Sequence, residues 1–76
     1  MAYHYPDPPP DETMPVRVGG EYVRARGDGS FFYVLIAHNL VTGQAKLAFR
    51  GVGTPFWVAE GTLRSLWRYR PGGYHG

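Results

Sequence analysis

The sequence contains no cysteine. Disulfides are therefore excluded as a source of stability, and so are metal sites built from thiolates. Histidine is scarce as well, because the three histidines at positions 4, 38 and 75 lie too far apart to form a metal-binding motif. A chain of 76 residues buries only about 60% of its unfolded surface. Stability must come from aromatic and branched side chains or from association with a partner.

Long apolar runs are also missing. No stretch approaches the roughly eighteen apolar residues of a transmembrane helix. The N-terminal segment MAYHYPDPPPDET has neither the basic start nor the apolar run of a secretory signal. We therefore expect a soluble, cytoplasmic protein with no membrane partner, and the absence of cysteine is compatible with a reducing compartment.

Groups that could perform catalysis are few. His38 is the only histidine outside the two ends of the chain, and a lone histidine is usually a hydrogen-bonded structural residue. Glu21, Asp28 and Glu60 fall in separate segments, so no pair of carboxylates is placed for glycosidase chemistry. Gly51–Gly53 lacks the lysine and hydroxyl residue of a phosphate loop. We predict that the protein is not an enzyme and holds neither a metal nor a cofactor.

Proline and acidic residues are concentrated at the start of the chain. Residues 1–15 hold five prolines and three acids but no basic residue, a composition typical of an extended, partly polyproline II segment. The remainder holds all eight basic residues, seven of them arginine, against three acids. GC-rich codon usage would also raise arginine over lysine. We predict a flexible acidic arm over 1–15, one domain over 16–70 and a flexible tail over 71–76.

Short apolar runs separated by glycine predict five strands in this domain. They are Val16–Gly19 with Glu21–Arg26 as one bent strand, Phe31–His38, Gln44–Arg50, Pro55–Ala59 and Ser65–Tyr69. We expect a turn of 3₁₀ helix over Glu60–Leu63; the alternative is an amphipathic helix over Gly61–Tyr69. The Arg26-Gly27-Asp28 tripeptide matches an adhesion motif, but Asp28-Gly29 favours a hairpin turn. The fold class predicted is all-β, a small, strongly bent, five-stranded antiparallel barrel that leaves few exposed edges.

Several short motifs resemble those of the SH3-like barrels, including the Tudor and KOW-type modules. They are Gly20-Glu21-Tyr22-Val23, Tyr33-Val34-Leu35, Thr42-Gly43, and Trp57-Val58 followed by Leu63. The same residues, with His38 before Thr42, are still more similar to a family of small bacterial and phage domains of unknown function. The resemblance covers residues 19–67. It implies a barrel in which the first and last strands lie close together, and it implies no catalytic chemistry.

Alternation along the first and last strands predicts a binding surface. Tyr22, Arg24 and Arg26 share one face, opposite Val23 and Ala25. On the last strand, Arg68 and Arg70 lie opposite Trp67. Because the resemblance brings these strands together, we expect one outward basic patch with a flanking tryptophan. The predicted binding residues are Tyr22, Arg24, Arg26, Tyr33, Trp57, Arg64, Arg68 and Arg70.

Two functions are compatible with this surface. The first is an interaction module that presents Tyr22, Tyr33 and Trp57 to a protein partner or a second copy, for example as a phage- or accessory-encoded modulator of a host protein. The second is nucleic-acid binding, with arginines on phosphates and an aromatic ring for stacking. The plain alternative to both is a solvated surface that keeps the domain soluble. Residues 7–12 could also fold back onto the basic patch, although a disordered tail is the more ordinary interpretation.

Overall fold

The computed structural model describes residues 7–71 and confirms the predicted all-β class, with five antiparallel strands in a strongly curled half-barrel sheet. The strands are β1 (Glu21–Arg24), β2 (Phe32–Asn39), β3 (Gln44–Phe49), β4 (Phe56–Ala59) and β5 (Trp67–Tyr69), with helix α1 (Glu60–Leu66) before β5. The order across the sheet is β4-β3-β2-β1-β5. The first and last strands therefore pair directly, as the resemblance implied.

The segment before β5 differs from the prediction. It is an α-helix of seven residues instead of a turn of 3₁₀ helix, and the last strand begins at Trp67 instead of Ser65. Glu60 in the first turn and Arg64 in the last suit the helix dipole and pair with each other at 3.4 Å. Leu63 is fully buried, so one face of the helix packs on the sheet and stabilises the longer α-helical form.

The connection between β1 and β2 is also longer than predicted. β1 ends at Arg24, where the N–H of Gly27 donates to the carbonyl of Arg24 at 3.1 Å and closes a turn. Asp28 then accepts a hydrogen bond from the N–H of Ser30 at 2.8 Å, which is how aspartate stabilises a turn. Arg26 lies in this loop, so the prediction that it projects from a strand is wrong.

Tyr22 lies in the core instead of on the outward face predicted for it. It is 0% exposed, and its register opposite Tyr33 and Tyr69 places it on the concave side of the sheet. The phenol tolerates this burial because the hydroxyl donates to the carbonyl of Pro15 at 2.7 Å and accepts the N–H of Arg17 at 3.0 Å. The alternation of side chains along β1 could not predict these hydrogen bonds, because Pro15 and Arg17 lie before the strand.

Residues 8–14 run along α1. The N–H of Asp11 donates to the carbonyl of Arg64 at 2.9 Å, and the Arg64 Nε donates to the carbonyl of Met14 at 3.2 Å. The hydroxyl of Ser65 donates to the carbonyl of Pro8. Met14 itself is 3% exposed and belongs to the core cluster. The division into a flexible arm, a barrel and a tail stays a prediction, and residues 1–6 and 72–76 lie outside the described range.

We predict that Met14→Ala lowers the free energy of unfolding by about 2–4 kcal/mol, because it removes a buried side chain and leaves a cavity. Urea denaturation followed by tryptophan fluorescence measures the change. Glu12→Ala is the control, since Glu12 is exposed, and we expect it to stay within about 0.5 kcal/mol of the parent. Equal stability of the two variants would show that residues 8–14 add little to the fold.

Candidate functional site

One end of the curled sheet carries five aromatic rings that contact one another. They are Phe31, Tyr33, Phe49, Phe56 and Trp67, together called the aromatic end below. Antiparallel pairing brings the starts of β2, β4 and β5 to the same end of the sheet as the end of β3, and the rings meet there. Residues directly opposite each other on paired strands share a face, which puts these side chains on the concave side.

Tyr33 is the centre of the cluster. Its ring centroid lies 5.5 Å from that of Phe49, 5.8 Å from Phe56 and 6.0 Å from Trp67. The three interplanar angles are 68°, 86° and 90°, so ring edges meet ring faces in the arrangement that the aromatic quadrupole favours. The rings of the cluster are consequently well packed against one another.

Exposure increases from the base of this cluster to its rim. Trp67 is 5% exposed, Phe56 38% and Phe31 58%. The indole Nε1 of Trp67 is buried and has no hydrogen-bond partner within residues 7–71. Two open phenylalanines therefore lie next to a buried hydrophobic base, instead of standing singly on the surface as scattered apolar residues do.

Two arginines stack on Trp67 and Phe49, the rings at either side of Tyr33. The Cζ of Arg24 is 4.7 Å from the ring centroid of Trp67, and that of Arg50 is 5.3 Å from the centroid of Phe49. Both side chains are exposed, and neither makes an ion pair with any residue from 7 to 71. Cation–π contact of this kind is worth about 0.5–1 kcal/mol at an exposed site, so it orients each guanidinium without consuming its hydrogen-bond donors.

The predicted single basic patch does not form. Of the eight predicted residues, Tyr33 belongs to the aromatic end and Arg24 stacks on the ring of Trp67 within it. Arg68 lies opposite Val23 in the β1–β5 register, one residue out of phase with Arg24, and therefore on the other face. Arg70 lies on that face too and binds Glu21 through Nε at 3.1 Å and Nη2 at 2.5 Å.

The other predicted residues have structural partners or lie elsewhere. Arg68 Nη1 donates to the carbonyls of Arg64 and Ser65 at the end of α1, at 2.8 and 3.1 Å. Arg64 links α1 to Met14, as described above. Trp57 is 46% exposed on the outward face of β4, where the Nζ of Lys46 lies 5.5 Å from its ring centroid. It is thus separate from the aromatic end.

Sequence reasoning missed most of the aromatic end. Phe31, Phe49, Phe56, Trp67 and Arg50 were not among the predicted binding residues. A signal was present: phenylalanines fall alternately at the start, end and start of three consecutive strands. In an antiparallel sheet these positions lie at the same end of the sheet. The pattern of phenylalanines therefore predicts where the cluster forms.

Away from the aromatic end, a polar contact joins β2 to α1. His38 Nε2 donates to Glu60 Oε2 at 2.5 Å, and Arg64 pairs with the other oxygen of the same carboxylate. The hydrogen bond from His38, assisted by the positive charge of Arg64, lowers the pKa of Glu60 below its ordinary value.

Comparison with known proteins gave no match, whether to a family model, to a curated protein or to a solved structure. Residues 7–71 contain no cluster of three or more metal-binding side chains. Within the same range no helix has the length and apolar character needed to cross a membrane. The candidate function therefore rests on the geometry of the aromatic end.

We predict that acid weakens the fold through Glu60. Because its folded pKa is lowered, its ionised form stabilises the fold above the ordinary value of about 4.5, and that contribution is lost as pH falls through the lower folded value. Urea midpoints at pH 3 to 7 should fall less steeply below pH 4.5 for Glu60→Gln than for the parent. Glu12→Gln, at an exposed carboxylate, should follow the parent. Parallel curves for all three proteins would contradict this role.

Proposed function

We propose that this protein is a non-enzymatic interaction module that binds a protein partner through the aromatic end. The observation that carries the proposal is a packed five-ring cluster with Phe31 and Phe56 open to solvent and an arginine stacked on Trp67 and on Phe49, the rings at either side of Tyr33. Protein interfaces draw most of their energy from tryptophan, tyrosine and arginine held in well-packed surroundings. A surface already ordered in the free protein also loses little conformational entropy on binding.

We further propose that the half-barrel is an SH3-like barrel related to the small bacterial and phage domains it resembles. The strand order β4-β3-β2-β1-β5 and the single helical segment before β5 support this assignment. We propose that the protein is a phage- or accessory-encoded modulator of a host protein and acts in the cytoplasm. The exposed phenylalanines of the aromatic end suit such a role, because they are available to contact another protein. Self-association through the same surface is the second form of protein binding compatible with it.

Nucleic-acid binding is the alternative, and the exposed Arg24 and Arg50 beside aromatic rings favour it. Base stacking needs an open ring face. Arg24 already lies over the face of Trp67, and Arg50 over that of Phe49. Around Tyr33 the rings meet at steep angles, which leaves edges instead of a flat platform. These features favour a protein partner.

We predict that Phe31→Ser strongly reduces partner capture. Tagged protein is incubated with a bacterial lysate, with and without nuclease, and retained proteins are quantified by mass spectrometry. Partners of the aromatic end should fall at least five- to tenfold with Phe31→Ser, as expected for a central interface residue. The control is Val41→Ser, because Val41 is 95% exposed in the β2–β3 hairpin at the opposite end of the sheet.

Each competing outcome has a distinct signature. Proteins that Phe31→Ser retains as well as the parent would refute the proposed surface. Capture that disappears with nuclease, together with binding to labelled single-stranded DNA or RNA that falls steeply between about 50 and 200 mM salt, would establish the nucleic-acid alternative. Sedimentation velocity of the parent and Phe31→Ser at several concentrations tests self-association.

A further inference from the structure

The two arginines at the aromatic end mark the limits of a row of rings. Starting from Arg50, successive contacts lead to Phe49 (5.3 Å), to Tyr33 (5.5 Å), to Trp67 (6.0 Å) and to Arg24 (4.7 Å). Trp67 is 5% exposed, so the open apolar surface along this row comes from Phe31, which packs on Phe49, and Phe56, which packs on Tyr33 and Trp67. This apolar strip has a positive charge at each side. With a rise of about 3.3 Å per residue, the strip accommodates no more than about six residues of extended chain.

The hydrogen-bond donors of these two arginines remain available. A guanidinium that stacks on a ring keeps its N–H groups in its own plane, directed away from the ring, in a fork that matches a carboxylate. Arg64, Arg68 and Arg70 donate to carbonyls or to Glu21. Arg24 and Arg50, by contrast, make no ion pair and no hydrogen bond through their side chains within residues 7–71.

Arg50 occupies a backbone conformation that does not suit an arginine. Its φ is +54°, in the left-handed region where any side chain crowds the following carbonyl. The N–H of Arg50 donates to Phe32 at 2.9 Å and that of Gly51 to Ala48 at 2.9 Å, which fixes the turn in this form. Glycine or asparagine would adopt it more readily, so the side chain of Arg50 does not favour the backbone conformation at this position.

We propose that the aromatic end binds an acidic peptide segment of its partner, an inference that rests on the proposed function. The segment is extended, with an apolar centre that covers the ring row and a carboxylate toward each end that pairs with Arg24 or Arg50. The two carboxylates lie no more than about six residues apart. Charge complementarity sets the choice between segments, and the rings supply the contact area.

The test uses three fluorescein-labelled ten-residue peptides, in which glutamate, glutamine or lysine flanks the same four apolar residues. Fluorescence anisotropy at 50 mM salt measures their binding to the full chain. We expect glutamate to bind about five- to tenfold more tightly than glutamine, and lysine to bind weakest. Arg24→Gln and Arg50→Gln should each weaken the glutamate peptide about three- to tenfold. In the double variant the glutamate and glutamine peptides should bind equally.

Two further variants separate recognition from folding. Arg17→Gln is the matched control, because Arg17 is exposed and precedes β1 at the opposite end of the sheet; it should change binding less than twofold. Arg50→Gly should weaken the glutamate peptide as Arg50→Gln does, while its melting temperature stays equal to the parent's or rises. A fall in both would assign Arg50 to folding instead of recognition.

The outcomes distinguish this inference from the proposed function. Binding of all three peptides that depends on Phe31 but not on either arginine would overturn the acidic preference and leave the interaction module standing. Failure of every peptide, while Phe31-dependent protein capture persists, would also overturn it. Failure of both the peptides and the capture would overturn both proposals. If labelled oligothymidine depends on the same arginines and binds more tightly than the glutamate peptide, the ligand of the aromatic end is a nucleic acid and not an acidic peptide.

Discussion

The hydroxyl of Tyr22 is the contact on which the arrangement of the sheet depends. A domain this small has few buried side chains, and Tyr22 is among the largest that are fully covered. Burying a phenol is favourable only where its oxygen is hydrogen-bonded, and Pro15 and Arg17 provide that from the segment before β1. The same ring packs edge to face against Tyr69, with centroids 5.5 Å apart. One side chain thereby joins the N-terminal segment, β1 and β5.

This junction decides which part of the concave face is covered. Once β5 pairs with β1, α1 crosses from the β2–β3 turn, where the N–H of Glu60 donates to the carbonyl of Gly43, to the start of β5. Leu63 of the helix and Met14 of the preceding segment complete the core. The connections at the end of the sheet where β5 begins are the β1–β2 and β3–β4 loops. Large aromatic side chains supply much contact area from few residues, so they close that end against each other. The apolar rim left open is therefore a direct consequence of the size and topology of the sheet.

The parts of the fold that follow from local pattern were predictable, and those that depend on distant partners were not. The apolar run of β2 and the alternation of β3 located both strands closely. Around β1 the pattern was ambiguous, because Tyr22 and Val23 are both apolar enough to face a core. The register with β5 and the hydrogen bonds to Tyr22 determine that Tyr22 faces the core. Neither can be predicted from the sequence of β1 alone. The outward direction predicted for Arg24 is wrong for the same reason, since reversing the faces of β1 moves Arg24 onto the concave side.

The arginines illustrate why a net charge is a poor guide to a binding surface. All seven arginines add to the same positive total, yet they differ in what their guanidinium groups already bind. Arg70 is held by the carboxylate of Glu21, and Arg64 and Arg68 by carbonyls around α1. These groups stabilise the fold, and their donors are no longer available to a ligand. Stacking on a ring works differently, because it fixes the position of a guanidinium while its donors stay unpaired. Arg70 also stacks on a ring, that of Phe32, but its donors bind Glu21. The proposed recognition therefore depends on Arg24 and Arg50, whose guanidinium groups stack without such a partner within residues 7–71, and not on an overall positive field.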